Sequence, residues 1–306
     1  MARLNNVSLY GFVEQKPSVT LDEEGTPVHA MSYLHVVRGY RDDHSGKEYM
    51  KHDFPLIITT ETKVAAKMAK WEPNDIVLIK GTVTSKFIMK PSYCPNCTDE
   101  KGNSTKNLAK GLLMYVNPIY AECLRHDADK KTALSDIIAA REISNEIRVY
   151  GNLVADPTYF RTKAGTVITQ YQIALDRNFR IRDDDPSIRT DWPFVKSYGE
   201  QAVEDRMRLK KGSEVYIDGV IQATSINRKT KCCNCGKIYT WKDHTLELVP
   251  YDVEYFTHYM TDDELVEKEG KKIEDIRQGI FDFLKKDELD ELFDTEDVDL
   301  KTVSKS

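Results

Sequence analysis

The sequence predicts an all-β protein: two tandem five-stranded β-barrels joined by a short helical linker, followed by a partly helical acidic tail. Three observations lead there, and the first is an internal repeat. Residues Val7–Pro17 (VSLYGFVEQKP) align with Ile147–Pro157 (IRVYGNLVADP) at an offset of 140, as Gly25-Thr26 does with Gly165-Thr166. Asp53-Phe54-Pro55 aligns with Asp191-Trp192-Pro193 at 138, as Gly81 does with Gly219. The second observation is a CxxC pair at the same distance from that glycine in both copies: Cys94 and Cys97 stand 13 and 16 residues after Gly81, and Cys232 and Cys235 stand 13 and 16 after Gly219. The third is strand-type alternation through each copy, broken once by a helical spacing.

The elements of the second copy follow in order. Ile147–Tyr150 alternates as a half-buried strand and is closed by Gly151. Thr166–Leu175 is β-branched and alternating, after a Lys163-Ala164-Gly165 turn signal. Trp192–Tyr198 is a third strand, which Pro193 confines to an edge or a bulge because proline has no N–H to give a ladder. Gln201–Leu209 has helical spacing, with Ala202, Val203 and Met207 apolar and Lys210-Lys211-Gly212 as its stop. Glu214–Gln222 is a fourth strand, whose central Gly219 predicts a bulge or a bend, and Leu246–Phe256 is the last. The first copy repeats this order, with a helix near Lys63–Lys70 and a strand at Ile76–Val83, and Thr132–Ile143 reads as a helical linker. The expected units are residues 1–125, 126–144, 145–260 and 261–306. Three strands, one helix and two strands is the order of the Greek-key barrel called the OB-fold.

Composition sets limits on function. With 306 residues, 40% of them hydrophobic, the chain buries a real core, and no run approaches the ~20 apolar residues of a membrane span. The N-terminus lacks the apolar region of a secretory signal, so a soluble, cytoplasmic protein is expected. The net charge of −6 is concentrated: residues 261–306 hold 8 basic and 16 acidic side chains, leaving 36 basic and 34 acidic in the rest. A phosphate-binding surface must therefore be a local arrangement of Lys and Arg. Such an arrangement exists. Arg177, Phe179, Arg180 and Arg182 interleave cations with an aromatic ring, and Arg38, Tyr40 and Arg41 repeat the pattern in the first copy. Binding an unpaired strand needs this combination, rings for the bases and cations for the backbone. The alternative for Trp192 and Phe54 is an ordinary place in the core.

At these residues the second copy resembles the bacterial single-stranded DNA-binding protein family, through Ile147–Pro157, Thr190–Gly199 (TDWPFVKSYG) and Leu209–Gly219 (LKKGSEVYIDG). In that family a Trp followed six residues later by an aromatic–Gly pair lies on the DNA-binding face; Trp192 and Tyr198-Gly199 match it. A further stacking aromatic upstream is matched best by Phe179. The first copy departs, with Phe54 for the Trp and Thr60-Glu61 for the aromatic–Gly pair. Family members usually carry one OB-fold per chain and assemble as tetramers, so the resemblance implies a homodimer here, or a tandem that itself mimics a dimer.

A CxxC turn presents two thiolates to one metal, and tetrahedral zinc takes four ligands. Cys94, Cys97, Cys232 and Cys235 are therefore expected to hold structural zinc in one of two ways. Each loop completes its own site with Cys233, Cys123 or His244, or the two loops meet and share one four-thiolate ion. Metal-free hairpins are the third outcome. Catalytic zinc is not indicated: no His-x-Glu accompanies a Pro-Cys-x-x-Cys, and no P-loop glycine pattern occurs. Residues 273–293 place Ile273, Ile276, Ile280, Phe283, Leu284, Leu289, Leu292 and Phe293 at near-helical intervals among acids. This segment either packs on the second barrel or binds replication and repair partners, as the family's acidic tail does, and it also competes with DNA for a basic groove. The expected function is non-enzymatic: sequence-nonspecific binding of single-stranded DNA that coats strands during replication, recombination or transfer. The alternatives are an RNA-binding OB module and a protein-interaction scaffold.

Overall fold

A repeat whose strands alternate must bury one face of each sheet, and a five-stranded sheet does this by closing on itself. The computed structural model describes residues 4–41, 48–98, 104–126, 129–162, 165–177, 181 and 189–286. The elements are β1 (Leu4–Val13), β2 (Ser18–Leu21), β3 (Pro27–Arg41), β4 (Glu48–Asp53), β5 (Leu56–Thr59), α1 (Thr62–Met68), β6 (Ile76–Thr98) and β7 (Ser104–Arg125) in the first copy. Two short helices, α2 (Lys130–Ala139) and α3 (Arg141–Ser144), make the linker. The second copy holds β8 (Asn145–Leu153), β9 (Thr158–Arg161), β10 (Val167–Asp176), β11 (Thr190–Asp191), β12 (Phe194–Tyr198), α4 (Gly199–Arg208), β13 (Glu214–Lys231) and β14 (Ile238–Tyr255), and is followed by α5 (Asp262–Glu269) and α6 (Ile273–Lys286).

Each copy closes as an OB-fold barrel. In the first, β1 pairs with β3 and β6, β3 with β5, β6 with β7, and the ring shuts where β5 meets β7 in parallel at Ile57 and Val116. The second shuts in the same way between β12 and β14, at Val195 and Leu248. The glycines that define the repeat lie where these rings are tightest. A Cβ on Gly81 would stand 2.3 Å from the Asn117 carbonyl oxygen, and one on Gly219 2.2 Å from that of Val249. Both mark a register shift in the β6–β7 and β13–β14 ladders, the bulge expected at Gly219.

The barrels join edge to edge. β1 and β8 run antiparallel from Leu4 opposite Tyr150 to Leu9 opposite Asn145, with the repeat-equivalent residues Val7 and Ile147 facing each other. A pseudo-two-fold axis therefore passes through that pair, and one apolar cluster continues through both barrels by way of Val7, Leu9, Ile147 and Val149. The same symmetry appears in buried polar groups. Asp53 pairs with Arg38 at 2.7 Å and accepts the Ala223 N–H of the other barrel at 3.2 Å; Asp191 pairs with Arg177 at 2.8 Å and accepts the Ser85 N–H at 2.8 Å.

The sequence pattern underestimated the last two strands of each copy. β6 and β7 run on past the barrel to Thr98 and from Ser104, and β13 and β14 likewise to Lys231 and from Ile238, as long two-stranded arms. Their inward face is polar, which apolar periodicity does not register: Lys90 bonds Asp243 at 2.5 Å and Ser92 bonds the Tyr239 hydroxyl at 2.8 Å, across from one arm to the other. Strand β12 begins at Phe194 and not at Trp192, because Pro193 interrupts the ladder while its carbonyl accepts the Ile173 N–H. At the C-terminus α5 starts with a Thr261–Glu264 capping box and ends at Gly270 in the left-handed region. Leu265 and Ile276 pack on Val203 and Met207 of the second barrel's helix, and Arg277 pairs with Glu204, so the segment through α6 docks on that barrel. Side chains from residue 281 on lie outside the described residues.

Two stability measurements check this packing. Gly219→Ala forces a Cβ into a carbonyl and lowers the stability by about 2 kcal/mol or more in urea unfolding, whereas Gly39→Ala, whose Cβ meets only the Arg141 side chain at 3.6 Å, changes it little. Asp191→Ala strands the Arg177 guanidinium, only 1% exposed, at a cost of about 3–5 kcal/mol, while breaking the exposed Lys16–Glu72 pair costs at most about 1 kcal/mol.

Candidate nucleic-acid interface and metal centre

Trp192 and Phe54 occupy equivalent Asp-aromatic-Pro segments, and in each segment the aspartate is tied to the opposite barrel. The aromatic residue that follows is thereby held at the junction of the two barrels. Trp192 is fastened further through its backbone: its main-chain N–H donates to the Ser85 hydroxyl of the first barrel at 2.8 Å, and its carbonyl accepts the Gln172 amide at 2.7 Å. It is half-buried and belongs to none of the apolar clusters of the described residues; the fully buried tryptophan is Trp71. Phe54 is also half-buried, with its ring 4.5 Å from that of His35, which in turn contacts Phe12.

Tyr198 ends β12, with the Lys196 ammonium 5.9 Å from its ring centre. Its hydroxyl accepts the Gln222 amide at 3.2 Å, and the Gln222 carbonyl accepts Arg38 at 2.5 Å, so a polar chain crosses between the barrels. Burial pushes the Tyr198 hydroxyl well above the usual phenol range, which keeps it neutral.

The arginines expected along the strand divide into three groups. Arg38 and Arg177 are buried, at 7% and 1% exposure, in the aspartate pairs described above; they position the Asp-aromatic-Pro segments and do not present their charge to solvent. The physical reason is the aspartate that each copy places beside the cation, a partner remote in sequence. Tyr40 and Arg41 lie in β3, opposite Tyr49 and Glu48, but their side chains are outside the described residues. Phe179, Arg180 and Arg182 are outside them as well.

Exposed cations occur instead on the arms: Lys86, Lys106 and Lys110 on the first, Lys229, Lys231, Lys237 and Lys242 on the second. Lys110 lies 5.1 Å from the centre of the Phe87 ring, itself 60% exposed, and Met89, Pro91 and Tyr93 follow at two-residue spacing on the same exposed side. Sequence reasoning missed this strip; the alternation Phe87, Met89, Pro91, Tyr93 was the available signal.

The two arms bring the cysteines together. Cys94, Cys97, Cys232 and Cys235 present four sulfurs within 4.8 Å of one another. Cys97 and Cys232 are 3.4 Å apart and Cys94 and Cys235 3.8 Å, so each close approach joins opposite barrels. Cys94 and Cys97 lie inside β6, not in a loop, while Cys232–Cys235 form the turn between β13 and β14. The N–H of Asn96 donates to the Cys94 sulfur and that of Asn234 to the Cys232 sulfur, both at 3.4 Å. Backbone donors from Cys235 and Asn234 bring the Cys232 thiol down to about 6, and burial pushes Cys94 up to about 11. Around tetrahedral zinc with Zn–S near 2.3 Å, sulfurs stand about 3.8 Å apart. The cluster is thus compatible with one metal ion between the barrels, and neither Cys123 nor His244 joins it.

Comparison with known proteins agrees with this geometry. The sequence model of the Single-strand binding protein family matches residues 144–234. The Single-stranded DNA-binding protein of Xanthomonas axonopodis pv. citri is 33% identical over 78 residues, covering 26% of this chain and 43% of that protein. The Single-stranded DNA-binding protein 1 of Chlorobaculum tepidum is 30% identical over 81 residues, 26% of this chain and 50% of its own. The chain thus spans about half the length of the curated relatives it matches. In fold the likeness extends over both barrels: the wild-type single-stranded DNA binding protein from Thermus aquaticus, 16% identical, superposes with a TM-score of 0.53 over 84% of this chain and 95% of that one. No described helix is long and apolar enough to cross a membrane. The second barrel thus resembles the single-strand binding protein family over residues 144–234, and the two-barrel fold is similar to that of the Thermus aquaticus protein.

Proposed function

We propose that the chain binds single-stranded DNA without sequence preference and coats strands exposed during replication, recombination or transfer. The observation that carries this reading is Trp192, half-buried at the barrel junction, in the segment where the second barrel matches the single-strand binding protein family. Bases stack on Trp192 and Tyr198, with Phe54 as a weaker platform because His35 already lies against it. Phosphates are met by the lysines of the arms and by Arg180 and Arg182. The role is one of binding, not catalysis.

The four cysteines hold a structural zinc ion that clasps the two arms. Four sulfurs within 4.8 Å of one another, two from each barrel, and N–H donors that favour thiolate support this reading.

Titration with oligo(dT) quenches the tryptophan fluorescence, and Trp192→Ala removes most of the quench and weakens binding by roughly tenfold, since one stacked base is worth about 1–3 kcal/mol. The affinity falls steeply between low and moderate salt as counterions are released. Wild-type affinity in Trp192→Ala, or equal affinity for oligo(U) and duplex DNA, overturns the proposal. For the clasp, protein purified without chelator contains zinc, and Cys94→Ser/Cys232→Ser both loses that zinc and lowers the melting temperature; an unchanged zinc content refutes it.

A further inference from the structure

Cys123 is absorbed by none of the sites above. It lies at the far end of the β6–β7 ladder from the four-cysteine cluster, opposite Val77. There its sulfur stands 3.4 Å from Nδ1 of His126, the residue just beyond β7, and the same Nδ1 stands 2.9 Å from Oδ2 of Asp75, the residue just before β6. The three donor atoms all lie within 4.8 Å of one another. A single ring nitrogen faces both a carboxylate and a thiol, and it has one proton to offer, whereas an ion at the centre is reached by all three donors. Around a zinc ion nitrogen and sulfur ligands stand about 3.6 Å apart and nitrogen and oxygen about 3.3 Å. The 3.4 Å sulfur–nitrogen separation is therefore close to that of a bound site, and the 2.9 Å nitrogen–oxygen hydrogen bond opens by about 0.4 Å when an ion enters.

We propose that Asp75, Cys123 and His126 form a second metal site, for a divalent ion of the zinc type, with water in the remaining position. The Asp75 side chain is 1% exposed and makes the floor of the site; it also accepts the Glu72 N–H at 3.0 Å, which orients it. The His126 side chain is 58% exposed and leaves the outer side open to solvent, so an ion can enter. Binding takes the proton of the Cys123 thiol into solvent and uses neutral imidazole.

The repeat shows that these donors are not needed to close a barrel. Matching Val77 with Val215 places Ser213, Tyr255 and His258 at the positions of Asp75, Cys123 and His126. There the buried Ser213 hydroxyl donates to the His258 carbonyl at 2.9 Å, and the Tyr255 hydroxyl donates to Asp205 at 2.7 Å. The second barrel closes with hydrogen bonds where the first gathers three metal-binding groups. A bound ion fastens the end of β7 to the turn entering β6, beside the linker, where Arg125 pairs with Asp136.

Cobalt(II) titration of the metal-free full chain tests this. The expected result is two ions per chain: one with the intense sulfur-to-cobalt bands of four thiolates, and a weaker-binding one with a single thiolate. Cys123→Ser and, independently, His126→Ala, whose exposed side chain leaves the fold intact, each reduce two ions to one and spare the four-thiolate spectrum. Cys94→Ser/Cys232→Ser removes the four-thiolate bands and keeps the second ion. The proposal is overturned if wild type binds one ion that Cys94→Ser/Cys232→Ser abolishes, or if His126→Ala still binds two. A single ion lost only in Cys123→Ser and His126→Ala sustains this site while refuting the clasp.

Discussion

The pairing of β1 with β8 is the constraint on which the rest of the molecule depends. Each barrel alone would leave the edge of its first strand with unpaired N–H and C=O groups, a template for uncontrolled association. Here the two edges satisfy each other, antiparallel and in register about Val7 and Ile147. Because those residues are equivalent in the repeat, the pairing imposes two-fold symmetry on everything attached to the strands. Whatever one barrel extends toward the axis meets its counterpart. The arms cross-bond through Lys90, Asp243, Ser92 and Tyr239, and each CxxC faces the CxxC of the other copy.

Buried charge completes the junction. Asp53 and Asp191 each neutralise an arginine of their own barrel and accept a backbone N–H of the other. Pairs of this kind add little net stability over apolar packing, but a misaligned junction would leave a carboxylate and a guanidinium uncompensated in the interior. We read them as devices that set the relative orientation of the barrels. That orientation matters for the surface, since Phe54 and Trp192 directly follow the two aspartates.

Symmetry of the frame does not extend to its chemistry. The second copy keeps Trp192 and ends β12 in Tyr198-Gly199; the first has Phe54, backed by His35, and Thr60-Glu61, with Glu61 opening α1. Conversely, the first copy places Asp75, Cys123 and His126 together where the second has Ser213, Tyr255 and His258. Fusing two barrels in one chain frees each from having to be identical, so the Trp and the Tyr-Gly pair occur in one and the Asp, Cys and His cluster in the other.

Much of this was legible in the chain. Alternating residues, turn glycines and a repeat at 138–140 determined two barrels, their strand order, the helices α1 and α4 and the linker, because burial of alternate side chains and the conformational limits of Gly and Pro act locally. The repeat also determined that two CxxC pairs occupy equivalent places. It did not determine that they meet, which follows from the β1–β8 register alone. The length of the arms was hidden because their facing residues, Lys90, Ser92 and Asp243, are polar and find their partners across from one arm to the other. Arg38 and Arg177 looked like surface cations for the same reason: an arginine is exposed or buried according to a partner that only the folded chain brings to it. Local periodicity records which face of a strand turns inward, and only tertiary structure decides what is waiting there.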